Sequence, residues 1–280
     1  MQTITTIQQM NEYSRAALAA GKSVGFVPTM GYLHDGHCSL IRRSAAENDV
    51  TIVSVFVNPT QFSPNEDFAS YPRDIEADTR LSAEAGAAVI FLPSADEMYP
   101  DGYKTYVEVD DLTAGLCGKS RPTHFRGVTT VIAKLFNIVM PTRAYFGQKD
   151  AQQLIVLRKM AYDLNMGVEV IACPIVRESD GLAKSSRNVY LTADERSRAV
   201  VLSMALTKAK QMYDDGERNS GILRVCVESI IASGTPSKID YIEIADTDTL
   251  TPVDTITAGA LIAVAVKFGN TRLIDNILVG

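Results

Sequence analysis

Two of the three histidines in this 280-residue chain, His34 and His37, stand three positions apart in the run Pro28-Thr29-Met30-Gly31-Tyr32-Leu33-His34-Asp35-Gly36-His37. The run follows Val24-Gly25-Phe26-Val27, an apolar stretch of strand character, and leads into Ser39-Leu40-Ile41-Arg42-Arg43, which reads as helix. A helix that begins just after a strand leaves unpaired N–H groups and a positive dipole end at its first turn, a setting suited to phosphate. Imidazoles at i and i+3 share a helix face and would aim two more groups at the same anion. A metal pair or a plain structural turn would use the same residue types. With only His124 besides and no cysteine cluster nearby, the anion reading is favoured.

Three further loops repeat this logic. Phe56-Val57-Asn58-Pro59-Thr60-Gln61-Phe62 leaves the end of the next apolar run, where Asn58 and Gln61 offer both donors and acceptors to a hydroxyl or carboxylate; an Asn-Pro turn with no ligand is the alternative. Phe146-Gly147-Gln148-Lys149-Asp150-Ala151-Gln152-Gln153 is again a strand end followed by a helix start. Gly147 permits close backbone approach, Lys149 supplies a mobile cation, and Gln153 sits one turn into the helix. Lys184-Ser185-Ser186-Arg187-Asn188, after the flexible-looking Arg177-Glu178-Ser179-Asp180-Gly181, places hydroxyls and cations on a loop fit to close over a triphosphate, or simply exposed to water. Arg121-Pro122-Thr123-His124-Phe125-Arg126-Gly127 suits a second anionic substrate or a solvated loop. Together these loops are expected to converge on one cleft.

Short β-rich runs at 24–27, 50–57, 88–92, 144–146 and 168–172 alternate with helical patterns, one of about a dozen residues after the first run and others near 72–85, 127–139 and 151–165. This alternation predicts an α/β fold: a Rossmann-like doubly wound parallel sheet over residues 1–176. Beyond, Thr192 and Glu195 have capping-box spacing ahead of one long amphipathic helix, a second helix spans about 221–232, and strands follow at 241–244, 261–266 and 273–277. Residues 177–280 are therefore expected to form a smaller C-terminal α+β domain.

With 46% hydrophobic and 21% charged residues the chain can bury a substantial core. Its 27 basic and 33 acidic residues give a net charge of −6, and the basic ones are scattered, which argues against nucleic-acid and membrane partners and for small molecules. The four cysteines are too widely spaced for a disulfide framework or zinc pair and are expected to be reduced and mostly buried. The N-terminus lacks the layout of a signal peptide and no apolar run approaches the roughly 20 residues that span a bilayer, so a cytoplasmic location is expected.

At the residues 28–37, 56–62, Tyr71-Pro72-Arg73, 121–141, 146–153, Ser185-Ser186-Arg187-Asn188 and Arg272-Leu273-Ile274-Asp275-Asn276, the sequence resembles the pantoate-beta-alanine ligase family across nearly its whole length. The element His34-Asp35-Gly36-His37 is the HxGH signature of the wider nucleotidylyltransferase superfamily, shared with class I aminoacyl-tRNA synthetases; Asn-Pro-x-Gln-Phe and Gly-x-Lys-Asp-x-Gln-Gln point to this family within it. The resemblance implies that pantoate and ATP give pantoyl adenylate and pyrophosphate, and that the beta-alanine amine then displaces AMP to give pantothenate. It implies ATP contacts from Met30, Gly31, Tyr32, Leu33, His34, Asp35, Gly36, His37, Gly147, Gln148, Lys149, Asp150, Val176, Lys184, Ser185, Ser186 and Arg187. His34, His37 and Lys149 would be catalytic, with His37 the proton donor; Gln61 and Gln153 would hold pantoate, and beta-alanine would bind beside Gln61. Mg2+ would arrive with the nucleotide, with no protein ligand assigned, and the chain would form a homodimer with its C-terminal domain as a lid. Lys184 departs from the family's usual methionine, in the segment that plays the part of the synthetases' KMSKS loop, and puts an extra cation beside the phosphates. Two other readings stay open at this stage: a nucleotidylyltransferase that stops after nucleotide transfer, and an ATP-binding scaffold without turnover.

Overall fold

The computed structural model describes residues 1–63, 66 and 68–280, and the chain forms two compact units. The first comprises Met1–Asp110, Arg121–Gly147 and Val156–Pro174; the second comprises Asp111–Ser120, Gln148–Ile155 and Ile175–Gly280. In chain order the first half of the structure runs β1 (Gln2–Ile4), α1 (Ile7–Ala19), β2 (Val24–Thr29), α2 (Asp35–Glu47), β3 (Val50–Val55), α3 (Ile75–Glu84), β4 (Val89–Phe91), α4 (Ala95–Met98), α5 (Leu116–Ser120), α6 (His124–Val139), β5 (Arg143–Gly147), α7 (Ala151–Asp163) and β6 (Glu169–Cys173).

In the first unit the strands form one sheet in the order β1-β4-β3-β2-β5-β6, with every neighbouring pair parallel. The chain steps outward from β2 to β3 and β4, then returns to place β5 on the other side of β2. Strand order therefore reverses beside β2, and in such sheets ligands bind outside the carboxyl ends of the strands at that point. All six residues of β3 are buried, as a strand covered on both faces requires, and Val27, Val53, Ile90 and Tyr145 meet in a core that excludes water completely. The short β1 and α4 and the polar α1 were not visible as periodic runs. For α1 a signal did exist, since Thr6 accepts a hydrogen bond from the Gln9 backbone N–H at 3.3 Å in the Thr-x-x-Gln spacing of an N-cap.

In the second unit α8 (Ala193–Arg198), α9 (Val201–Asp214) and α10 (Ser220–Ser233) accompany an antiparallel sheet of β7 (Lys238–Asp246), β8 (Ala260–Phe268) and β9 (Thr271–Val279) in sequence order. Leu202, Leu206, Leu223, Val227 and Ile231 from the helices share a core with Ile242, Ile244, Ile262, Val264 and Phe268. The capping box forms: Glu195 N–H donates to Thr192 Oγ1 at 3.2 Å, and Thr192 N–H to Glu195 Oε2 at 2.9 Å. The single long helix expected after it is instead two. At the junction the coil tightens, with Leu202 N–H bonding Ala199 O three residues back at 3.2 Å, and the Arg198 guanidinium reaches Thr235 O at 2.8 Å.

The cysteines are free thiols; Cys38, Cys117 and Cys173 are buried and Cys226 partly so. Burial pushes the Cys38 and Cys173 thiols above their ordinary range. Among the described residues no helix is long and apolar enough to cross a membrane.

Candidate active site

β2 ends at Thr29, whose hydroxyl donates to Ser54 O on β3 at 2.8 Å and accepts the Gly31 N–H at 3.1 Å. The backbone then turns through two left-handed residues, Gly31 at φ +83 and Tyr32 at φ 51. Glycine is required at the first: a Cβ there would stand 2.8 Å from both Asp78 Oδ2 and Val55 Cγ1. The turn is held by Asp78 of α3, 1% exposed, which accepts the Tyr32 N–H at 2.9 Å and the Leu33 N–H at 2.6 Å. Burial pushes the Asp78 carboxyl above its ordinary range, and the Leu33 and Tyr32 bonds pull it partly back. Nothing local in the sequence marks Asp78, which lies 45 residues from Leu33.

His34 is the N-cap of α2. Its Nδ1 accepts the Gly36 N–H at 3.1 Å, while His37 Nδ1 accepts the His34 N–H at 3.3 Å, and the two rings lie 4.1 Å apart at 34°. With both Nδ1 atoms acting as acceptors, the neutral rings carry their protons on Nε2. The histidines thus cap the helix with one nitrogen each and keep the other as a donor. Both are half-buried, and Asp35 between them is exposed.

The loop after β3 forms a short 3-10 turn, Pro59–Gln61. Gln61 is 8% exposed; its Oε1 accepts from Asn58 Nδ2 at 3.1 Å, and its Nε2 donates to Met30 Sδ at 3.0 Å. This joins the loops that follow β2 and β3. The Gln61 carbonyl accepts from Arg121 Nη2 at 3.3 Å and contacts His124 Nδ1 at 3.0 Å, so the last histidine braces this turn. Arg121 also makes a two-pronged ion pair with Glu66, at 2.6 and 2.7 Å. Burial pushes the Glu66 carboxyl up, but hydrogen bonding and charge from Arg121 outweigh it and hold the group below its ordinary range. At Gly127 of α6, too, only glycine fits, because a Cβ would run into the Thr60 carbonyl and the Gln61 backbone.

The second unit carries Gln148, Lys149 and Asp150 as one 3-10 turn, with Lys149 half-buried and Asp150 exposed. Asn276 of β9 grips this turn from beneath its backbone: Nδ2 donates to Gln148 O and to Lys149 O, each at 2.9 Å. Gln153 is half-buried, whereas Gln152 is consumed structurally, accepting the Cys117 N–H at 2.9 Å and donating to Leu112 O at 2.9 Å.

The segment that looked flexible in sequence is pinned. Lys184 N–H donates to Val176 O at 2.9 Å, and Arg177 bridges Ala183 across a tight turn. Arg177 also pairs with the buried Asp275 at 2.7 and 3.0 Å, and Arg196 pairs with Asp180 at 2.7 and 3.1 Å. Lys184 Nζ lies 3.4 Å from Glu178, Ser185 caps Arg187 N–H at 3.3 Å, and Ser186 is buried. Asp275 and Asn276 therefore position two candidate loops from one strand, a role the sequence pattern did not reveal. Among the described residues no three His, Cys, Asp or Glu side chains gather in a way that could hold a metal ion.

Residues 2–278 match the family described as pantoate-beta-alanine ligase. A pantothenate synthetase of Acetivibrio thermocellus is 56% identical over 279 residues, covering 100% of this chain and 99% of that protein. The crystal structure of a Thermus thermophilus pantothenate synthetase superposes with TM-score 0.94 at 47% identity, covering 99% of each chain. A Francisella tularensis pantoate-beta-alanine ligase, crystallised with beta-gamma ATP and beta-alanine, gives TM-score 0.81 at 35% identity over 99% of this chain and 97% of that one.

Proposed function

The chain belongs to the pantoate-beta-alanine ligase family, and from this membership and the site geometry we infer that it condenses pantoate with beta-alanine at the expense of ATP. The carboxylate of pantoate attacks the α-phosphorus of ATP, forming pantoyl adenylate and releasing pyrophosphate. The amine of beta-alanine then attacks the acyl carbon, the C–N bond forms, AMP leaves with the electron pair of the broken C–O bond, and the amine loses a proton. Activation is needed because a carboxylate has no good leaving group, whereas AMP is one.

The observation that carries this reading is the α2 N-terminus, with two imidazoles whose Nε2 atoms carry the protons, one strand away from an amide-bearing loop. Charge builds on phosphate oxygens as pyrophosphate departs, and donors held ready for that charge lower the barrier; one such donor is worth about 3 kcal/mol. His37 acts as proton donor within a hydrogen bond, keeping its proton on Nε2, because full loss from a neutral ring would leave an imidazolate. In the first unit the backbone and side chains of Met30 to His37 take the nucleotide, and Gln61 takes pantoate with beta-alanine beside it. In the second, Lys149 with its turn, Val176 and Lys184 to Arg187 serve ATP, and Gln153 serves pantoate. Gly147 supplies the close approach at the strand end.

Mg2+ would enter bound to the nucleotide and neutralise pyrophosphate, and no side chain is assigned to it. We read residues 1–176 as the nucleotide- and pantoate-binding domain and 177–280 as a lid, in a cytoplasmic homodimer, a division by role in which 111–120, 148–155 and 175–176 count with the first domain although they fold in the second compact unit. An acyl adenylate hydrolyses readily, which is the physical need for a lid. Unchanged hydrogen-exchange protection of residues 178–190 on adding ATP and pantoate would refute the lid.

The function is tested by withholding substrates in turn. Pyrophosphate exchange into ATP is expected only with pantoate present, and net AMP release only when beta-alanine follows. Exchange independent of pantoate, or AMP release indifferent to beta-alanine, overturns the reading.

A further inference from the structure

We infer that Tyr99 is a positioning residue for substrate recognition: acting through Asn58, it locks the Gln61 amide so that the NH2 group, not the carbonyl, is presented to an oxygen of the bound acid. This rests on the reading of Gln61 as the pantoate ligand and adds the device that sets its hydrogen-bonding sense.

Three donors converge on Asn58 Oδ1: the Thr60 N–H at 3.3 Å, the Thr60 hydroxyl at 2.9 Å and the Tyr99 hydroxyl at 2.9 Å. The two hydrogens on Asn58 Nδ2 are both engaged, by Gln61 Oε1 and by Gly127 O, each at 3.1 Å. Asn58 is 1% exposed, so water cannot substitute for a lost partner. An inverted Asn58 amide would set NH2 against a backbone N–H and a carbonyl against Gly127 O, two repulsive contacts in a buried site.

With Asn58 fixed, Gln61 Oε1 faces the Asn58 NH2, and among the described residues the Gln61 NH2 meets only the Met30 thioether, a weak acceptor, at 3.0 Å. An oxygen acceptor on the substrate would replace that contact with a gain. A donor-only group in the same place, such as an ammonium, would meet NH2 and be rejected.

Tyr99 is built to hold this role. Burial pushes its hydroxyl up to about 12, so it stays a donor across the working range. Its ring is wedged by Tyr103 edge-on at 5.0 Å and Phe56 at 6.2 Å, with the Lys134 ammonium 5.8 Å from its centre. Neither this tyrosine nor Thr60 need touch the substrate.

The test compares Tyr99→Phe, Thr60→Val and the double variant in pantoate-dependent pyrophosphate exchange, with KM for pantoate and for ATP measured separately. Each single variant is expected to raise the pantoate KM about two- to tenfold, the range for one lost hydrogen bond, with the ATP KM unchanged. The double variant should exceed the product of the two, because of the three donors only the longer Thr60 N–H bond at 3.3 Å then remains to orient Oδ1. A pantoate KM unchanged in all three, or pantoate and ATP KM values rising in parallel, overturns the inference. Should Tyr99→Phe fail to fold, Thr60→Val deletes the companion hydroxyl and reads the same quantity. Gln61→Ala separates the two levels. If it leaves the pantoate KM unchanged, the Gln61 assignment fails; if it raises that KM while Tyr99→Phe does not, the relay alone fails.

Discussion

Replacing Asp78 with alanine should loosen the turn that delivers both histidines. In the native protein its carboxylate accepts the Tyr32 and Leu33 N–H groups at 2.9 and 2.6 Å, and at 1% exposure no water can take over. Each orphaned buried donor costs about 1–3 kcal/mol, so the pair amounts to about 2–6 kcal/mol. That is a large share of the roughly 5–15 kcal/mol by which such proteins are stable. Asp78→Asn should be milder, about 1–3 kcal/mol, because one oxygen remains to accept one N–H. The pH dependence gives an independent reading. Burial raises the native pKa of Asp78, with the Leu33 and Tyr32 bonds opposing, so between the ordinary carboxylate value and the raised one the native state binds more protons than the unfolded chain. Stability must then fall as pH rises through that window, and Asp78→Asn should remove this fall. Urea unfolding across a pH series measures both effects, and pantoate-dependent pyrophosphate exchange measures whether the histidines are still delivered. If Asp78→Ala unfolds within about 0.5 kcal/mol of the parent and exchanges at its rate, the turn does not depend on this carboxylate.

Other residues give distinct signatures. His37→Asn can keep an acceptor near the His34 N–H while losing the Nε2 donor, so melting should shift little and exchange should drop about 100-fold; normal exchange would remove His37 from the chemistry. Glu66, held low by Arg121 against the opposing effect of burial, contributes stability that is full above the ordinary carboxylate value and lost as pH falls through its depressed native one. Glu66→Gln should therefore cost about 1.5–3 kcal/mol at neutral pH and flatten the acid limb of the stability curve, and an acid limb identical to the parent's would refute the pairing. Lys184→Met frees Glu178 from its 3.4 Å partner and should leave the reaction class unchanged, with both half-reactions detectable; complete loss of activity would show that the 184–188 loop has been given the wrong role.

How the chain divides between what was legible and what was not follows from the range of the interactions. Strand-turn-helix punctuation is local: an apolar run, a glycine, then helical periodicity betray themselves within a dozen residues, so the parallel sheet and the loops around His34, Gln61 and Lys149 could be read from residue types alone. The family resemblance supplied the substrates, which no periodicity encodes. What only the folded chain decided are the braces. Asp78 on the Tyr32–Leu33 turn and Asn276 under the Lys149 turn act across 45 to 128 residues on backbone groups, which every residue possesses and which therefore leave no mark in sequence, and Asp275 finds the Arg177 guanidinium 98 residues away. The orientation of the Gln61 amide and the break between α8 and α9 belong to the same class, since both are set by which partners packing brings within about 3 Å. Sequence specified the chemically competent groups and the local elements that carry them, while tertiary packing set their geometry, because hydrogen-bond direction depends on neighbours that are distant along the chain.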